Sequence, residues 1–301
     1  MITFPTDNLF IEGPDLSGKT TLIKNIHSKT NYRWHITDRS KISRMIFAEM
    51  FNRDTKNLKK DFLYEASNLN NRYIFILPSL SVIKERYSKR GDEIHTLESL
   101  EESYELFHKA FVNFSRLSNV HGLICDIPER AEDLSINYAN AVESLSLSDI
   151  INYVQMFAKR FPGNECNTLR FKIRDDCSFS EADYSVMRTK GEESYYSRIL
   201  ESTLRKIDHE LSGINEYSRI EDESSRRFIF TDDTCISMIH ALNRDGVLDI
   251  RFVCRSTDMI RKFPNDIRFL YYVASKIWEK IGNNCATAEL HFTLNSAHII
   301  Q

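Results

Sequence analysis

The run "EGPDLSGKTT", residues 12–21, carries the residue types that hold phosphate. From Gly13 to Thr20 it fits G-x-x-x-x-G-K-[ST] without a gap. Glycines let backbone N–H groups turn inward around phosphate oxygens. The helix that follows adds the partial positive charge of its N-terminus. Lys19 is placed to reach terminal phosphates, and the Thr20 hydroxyl to hold Mg²⁺. Gly13, Asp15, Ser17, Gly18, Lys19, Thr20 and Thr21 are the candidate ATP-binding residues, with ATP and Mg²⁺ as the implied cofactors.

Such a loop works only between a buried strand and a helix. Residues 8–12 read as that strand and 19–29 as that helix. Further strands are predicted at 32–40, 72–78 and 120–128. Helices are predicted at 41–51, from 79 into a basic loop, and over 97–117. Strands alternating with helices predict an α/β fold, a parallel sheet with helices on both faces. The alternation stops near residue 145, where the serine-rich "ESLSLSDI" (143–150) reads as a link. Beyond it, the strand-like runs "TLRFKIRD", "RRFIFTD" and "VLDIRFVCRS" join helices near 195–212 and 265–281. This predicts two domains, 1–145 and 146–301, the second of α+β type.

Composition narrows the class. The 301 residues are 42% hydrophobic and 28% charged, as a packed domain requires. There is no run of about 18 apolar residues, so no membrane span is expected. No secretory signal is read at Met1-Ile2-Thr3-Phe4-Pro5, and a cytoplasmic protein, in the host cytoplasm if viral, is the expectation. The net charge of −3 argues against a broad nucleic-acid surface. None of the six cysteines forms a CxxC pair, which argues against a zinc ribbon and for reduced thiols.

"EGPDLSGKTT" with Asp38-Arg39-Ser40 resembles the thymidylate kinases and related deoxynucleoside monophosphate kinases, the compact phage-type ones above all. The resemblance covers about residues 8–130. It implies that Asp15 faces the acceptor phosphate, that Asp38 assists Mg²⁺ or the acceptor, and that Arg39 clamps the acceptor phosphate. "KERYSKRGDE" (84–93) resembles the lid of these kinases, with Arg86 and Arg90 folding over the transferring phosphoryl group and Gly91 as hinge.

A second resemblance lies downstream. "CRSTDMIRKFPNDIRFLYYVASKI" (254–277), "LHFTLNSAHII" (290–300) and "ESSRRFIF" (223–230) together resemble the core of thymidylate synthase and deoxycytidylate hydroxymethylase. The resemblance implies nucleotide binding by Arg255, Ser256, Asp258, Asp266 and His298. It also implies that Arg226 and Arg227 reach a partner subunit's nucleotide, hence a homodimer. Cys235, twenty residues before Arg255, matches the family's nucleophile, which attacks C6 of a pyrimidine. Asp266 stands where an aspartate favours cytosine and an asparagine uracil; it is equally a good helix-start residue. The implied cofactor is 5,10-methylenetetrahydrofolate.

The match has departures. Asp233-Thr234-Cys235-Ile236 replaces Pro-Pro-Cys-His, Ile300 replaces a tyrosine, and the tryptophan-bearing segment with its glutamate is missing. Glu192, Glu193 and Glu201 are weak stand-ins for that glutamate.

The resulting expectation is a kinase of pyrimidine deoxynucleoside monophosphates, C5-modified ones included, joined to a methyl- or hydroxymethyltransferase-like domain. Such a pairing suits a phage or virus with unusual pyrimidines. Three rivals stay open: a kinase whose second domain only dimerises or senses nucleotide, a kinase of 5-hydroxymethyluracil within DNA, and a nucleotide-binding scaffold without activity.

Overall fold

The computed structural model describes residues 1–92, 95–124, 126, 128–141, 143, 145–183, 193–217, 228–282 and 284–300. The chain divides into two compact units. Residues 6–143 form one, called the N-terminal unit here. Residues 1–5 join the chain from 144 onward in the other, the C-terminal unit. Strand β1 (Ile2–Thr3) accounts for the early residues, because Ile2 pairs antiparallel with Asp175.

The N-terminal unit is a four-stranded parallel sheet. β2 (Asn8–Glu12), β3 (His35–Asp38), β4 (Asn71–Ile76) and β5 (Val120–Leu123) run in the order β3-β2-β4-β5. Every residue of β4 is buried, as a central parallel strand covered on both faces requires. On one face Leu9, Ile11, Ile74 and Ile76 pack with Leu22 and Ile26 of α1 (Lys19–Thr30). Ala131 and Ala139 of α6 (Pro128–Asn140) complete that cluster.

The other face is aromatic. Tyr73 meets Phe62 of α3 (Leu58–Ala66) at 5.3 Å between ring centroids. Phe75 meets Phe111 of α5 (Leu97–Phe114) at 5.5 Å. α2 (Lys41–Met50) docks on α5 through Phe47 and Phe107, and α4 (Leu80–Arg90) follows β4. The carboxyl ends of β2 and β3 open the crevice where ligands of such sheets bind.

The C-terminal unit is built on a mostly antiparallel sheet. α7 (Leu147–Arg160) leads to β6 (Glu165–Asp175), α8 (Glu193–Tyr217) and β7 (Phe228–Thr231). β8 (Ile236–Arg244), β9 (Val247–Cys254), β10 (Thr257–Asp258), α9 (Phe263–Ile281) and β11 (Thr287–His298) follow. Among the described residues the sheet order is β1-β6-β11-β9-β8-β7, with β10 beside β11. β11 runs parallel to β9 and β10 and antiparallel to β6. Asp245 and Gly246, at φ 50° and 74°, turn β8 into β9. The Tyr271 hydroxyl of α9, wholly buried, donates to Asp175 of β6 at 2.6 Å.

Three elements differ from the sequence expectation. The serine-rich stretch at 143–150 starts a helix: Ser146 and Asp149 form a capping box that opens α7. The basic residues Lys89 and Arg90 sit in the last turn of α4 rather than in a loop. β5 stops at Leu123, and Pro128 begins α6, where its fixed φ suits a first turn. α3 had no sequence signal strong enough to predict it. Among the described residues no helix is long and apolar enough to cross a membrane.

Candidate functional site

Strand β2 delivers the chain into the loop at Gly13, whose φ of 152° no side chain adopts comfortably. A Cβ there would lie 2.5 Å from the Ile76 carbonyl oxygen, so the loop passes directly over β4. Leu16 takes the left-handed region at φ 62°, a strain that persists only where surroundings impose it. Arg86 supplies part of that constraint: its Nη1 donates to the Leu16 carbonyl at 2.7 Å. Gly18, at φ 100°, is the N-cap of α1.

Lys19 is buried, with its Nζ donating to the Gly13 and Pro14 carbonyls at 2.8 Å each. Burial pushes its ammonium below the ordinary lysine value, and the charges of Asp15 and Asp38 oppose that. Ser17 is buried, and its hydroxyl oxygen has no hydrogen-bond partner among the described residues. Thr20 and Thr21 are exposed.

Asp15 gathers partners from three elements. Its Oδ1 accepts from Arg39 Nη2 at 3.0 Å and lies 3.6 Å from Lys19 Nζ. Its Oδ2 pairs with His95 Nε2 at 3.1 Å. Arg39 follows β3 in the left-handed region, φ 81°, and its guanidinium lies over the Phe47 ring at 4.9 Å. Ser40 then caps α2 by accepting from the Ile42 N–H.

Two members of this cluster escaped the sequence reading. Glu12, fully buried at the end of β2, accepts from the Ser40 N–H and the Ser43 hydroxyl. It therefore ties the loop's first residue to the corner that carries Arg39. Burial raises its carboxyl above the usual range, although those two bonds and Lys19 pull the other way. An acidic residue beside Gly13 was its only signal. His95 offered none, since a lone histidine before a helix is ordinary.

Two cavities meet at the loop. One of about 350 Å³ is walled by Leu16, Leu22, Ile76 and Ala131, with Asn25, Arg86 and Arg90 at hand. That is the size range of small-ligand sites. The other, about 150 Å³, is lined by Lys19, Thr20, Asp38, Arg90 and Asp92. A hydroxyl and carboxylates there suit Mg²⁺, which keeps waters and shares substrate phosphates. Among the described residues no group of three or more His, Cys, Asp or Glu is placed to hold a metal by itself. Of the two expected lid arginines, Arg90 faces both cavities, and Arg86 also grips the loop.

In the C-terminal unit, Cys235 lies half-buried just before β8, and its carbonyl accepts from the Arg255 N–H at 2.7 Å. Twenty residues of hairpin bring the two ends back together. The Tyr195 hydroxyl oxygen accepts from the Ile236 N–H at 3.1 Å and from the Thr234 hydroxyl at 3.3 Å. Burial raises the Tyr195 phenol, and the charges of Cys235 and Asp266 add to that. Asp266 is buried in the first turn of α9 and accepts from the Tyr196 hydroxyl at 2.8 Å. Asp258 accepts from the Ile260 and Arg261 N–H groups, closing its own turn. Asp258 sits beside His298 across the β10–β11 pairing. Arg255 is exposed and Ser256 half-buried. Arg226, Arg227 and Glu192 lie outside the described residues, as does the side chain of Glu193; Glu201 is exposed on α8. A cavity against Thr203, Phe228 and Ile277 holds about 10 Å³, room for one water at most.

No family model matches the chain, and no curated protein does. Among solved structures, the YorR protein of Bacillus subtilis in complex with phosphorylated GDP is similar at 18% identity and a TM-score of 0.36. That match covers 44% of this chain and 96% of YorR. The thermostable thymidylate synthase A of Bacillus subtilis is similar at 20% identity and a TM-score of 0.26, over 31% of this chain and 35% of that one. The thymidylate synthase of T4 phage is similar at 20% identity and a TM-score of 0.24, over 34% and 35%. This chain thus spans about a third of the length of either synthase.

Proposed function

We propose that the N-terminal unit transfers the γ-phosphoryl group of ATP to a pyrimidine deoxynucleoside monophosphate. The observation that carries this reading is the Asp15–Arg39 pair at 3.0 Å beside buried Lys19. A phosphate loop alone serves any nucleotide hydrolase. A second cation tethered to the loop's own carboxylate provides for a second phosphate, that of an acceptor.

In this reading the donor base occupies the apolar cavity against Leu22 and Ile76, and its phosphates run into the polar one. Lys19 neutralises the terminal phosphates, and Arg90 the charge that develops in transfer. Thr20 and Asp38 would hold Mg²⁺, which would neutralise negative charge on the donor phosphates. Glu12 keeps Arg39 in register by holding Ser40 and Ser43.

A kinase assay across the deoxynucleoside monophosphates, 5-hydroxymethyl forms included, tests the proposal. Transfer to a free pyrimidine monophosphate, lost in Lys19→Ala, is the expected result. Equal rates on duplex DNA would favour the base-in-DNA rival, and ATP turnover that survives Lys19→Ala would refute the role given to the loop.

For the C-terminal unit we propose chemistry on the same pyrimidine, with Cys235 as nucleophile and Asp266 reading the base. What supports it is that neighbouring residues of α8 reach both: Tyr195 accepts from the Ile236 N–H next to Cys235, and Tyr196 donates to Asp266. Tritium release from C5-labelled dCMP or dUMP with methylenetetrahydrofolate is the assay. No release, under conditions where a thymidylate synthase works, leaves this unit a sensing or dimerising module. One observation already leans that way: Asp258 and Asp266 both spend hydrogen-bonding capacity on the protein itself.

A further inference from the structure

We propose that His95 is a positioning residue: it fixes the Asp15 carboxylate so that Arg39 keeps a free edge for the acceptor phosphate. The proposal rests on the phosphoryl-transfer reading.

His95 stands just before the α5 cap residue Thr96, yet its side chain is only 3% exposed. Both ring nitrogens are used. Nε2 meets Asp15 Oδ2 at 3.1 Å, and Nδ1 meets Ser99 Oγ at 3.2 Å. A carboxylate only accepts, so Nε2 is the donor of that pair. Ser99 is itself fixed by Thr96, through its N–H at 3.3 Å and its hydroxyl at 3.1 Å. The His95 N–H donates to Asp92 at 2.8 Å. The imidazole is therefore anchored to the start of a long helix.

Its ring also lies nearly parallel to Phe47, with centroids 6.3 Å apart and 26° between planes. Phe47 in turn carries the Arg39 guanidinium. Asp15, Arg39, Phe47 and His95 thus form a closed circuit of four side chains.

The consequence follows from valence. Asp15 has two oxygens, and the cations Arg39 and Lys19 both sit at Oδ1. Were Oδ2 unheld, the carboxylate would rotate to meet Arg39 with both oxygens, the favoured fork-to-fork geometry. That would consume the guanidinium edge an acceptor phosphate needs. His95 holds Oδ2 away, so that among the described residues Arg39 meets Asp15 through Nη2 alone.

The test is a set of steady-state measurements on the full chain, with KM for the acceptor monophosphate and for ATP determined separately. His95→Leu is expected to raise the acceptor KM about ten- to a hundredfold, as loss of a hydrogen bond to a charged group does. ATP KM should stay within about twofold of wild type, because His95 is not among the residues lining either donor cavity. His95→Gln, which keeps a donor at similar reach, should restore most of the loss. In an Asp15→Asn background His95→Leu should add nothing further. Ser99→Ala, a gentler change that frees Nδ1, should move acceptor KM in the same direction if His95→Leu fails to fold.

Equal rises in both KM values, no rescue by glutamine, or additive effects with Asp15→Asn would each overturn the proposal. An unmoved Ser99→Ala would count against it too. A wild-type chain that phosphorylates no nucleoside monophosphate removes the kinase reading and this proposal together. An active wild type indifferent to His95 removes this proposal alone.

Discussion

Replacing Gly13 by alanine puts the reading of the phosphate loop at risk with a single methyl group. That Cβ would lie 2.5 Å from the Ile76 carbonyl oxygen and 3.0 Å from Ser17 Oγ, whereas ordinary contact begins at 3.4 Å. The obstacle is backbone on a wholly buried strand, so it does not yield as a flexible side chain would. The loop must instead rise by an amount on the order of 1 Å, and a misplacement of that size costs roughly a hundredfold in rate. N–H groups aimed at phosphate oxygens leave hydrogen-bonding range with a shift of that kind. Overpacking of this sort costs about 1–3 kcal/mol of stability. The φ of 152° adds strain of its own.

The assay is phosphoryl transfer together with urea unfolding followed by fluorescence of Trp34, which lies in the core of the N-terminal unit. Gly91→Ala is the stability control. It has a positive φ of 69° but nothing within 4 Å of the added carbon among the described residues, so it should cost only the conformational strain, about 1–3 kcal/mol. A Gly13→Ala chain that binds ATP and turns over within about twofold of wild type would refute the geometry given to the loop.

Two further outcomes concern buried carboxyl groups. Glu12 has its pKa raised by burial, so its folded form holds a proton more tightly than its unfolded form. Its stabilising contribution is therefore present below the ordinary glutamate value of 4.5 and lost as pH rises through the folded value. Glu12→Gln should remove that slope, so the variant gains on wild type between acid and neutral pH in urea unfolding; parallel curves would contradict the assignment. In the C-terminal unit, Tyr271→Phe deprives buried Asp175 of one partner and leaves it the Phe179 N–H. The expected loss is about 1.5–3 kcal/mol, read from the Trp278 transition in a Trp34→Phe background; a loss under about 0.5 kcal/mol would show that the bond contributes nothing net.

Much of the fold was legible in the sequence because its signals are local. The phosphate loop is one contiguous run whose glycines serve backbone angles within the run itself: Gly13 and Gly18 sit where φ is 152° and 100°. The β8–β9 hairpin was equally local, announced by Asp245-Gly246. Helices α2 and α5 showed themselves through apolar spacing, and α1 through its place after the glycine loop. The serine-rich start of α7 misled because a capping box and a linker use the same polar residues.

The sequence by itself determined a glycine-rich loop between a strand and a helix and the parallel sheet that presents it. Only the tertiary structure decided what stands around it. His95 reaches Asp15 across 80 residues, and Glu12 reaches Ser40 and Ser43 across 28 and 31. Met1–Pro5 join a sheet whose partner strand comes some 170 residues later. Periodicity tells which face of a helix or strand is buried, but not which helix lies against it or at what register. Those meetings are set by how α2 and α5 pack over the aromatic face of the sheet, and that packing brings Arg39 and His95 onto Asp15 of the loop.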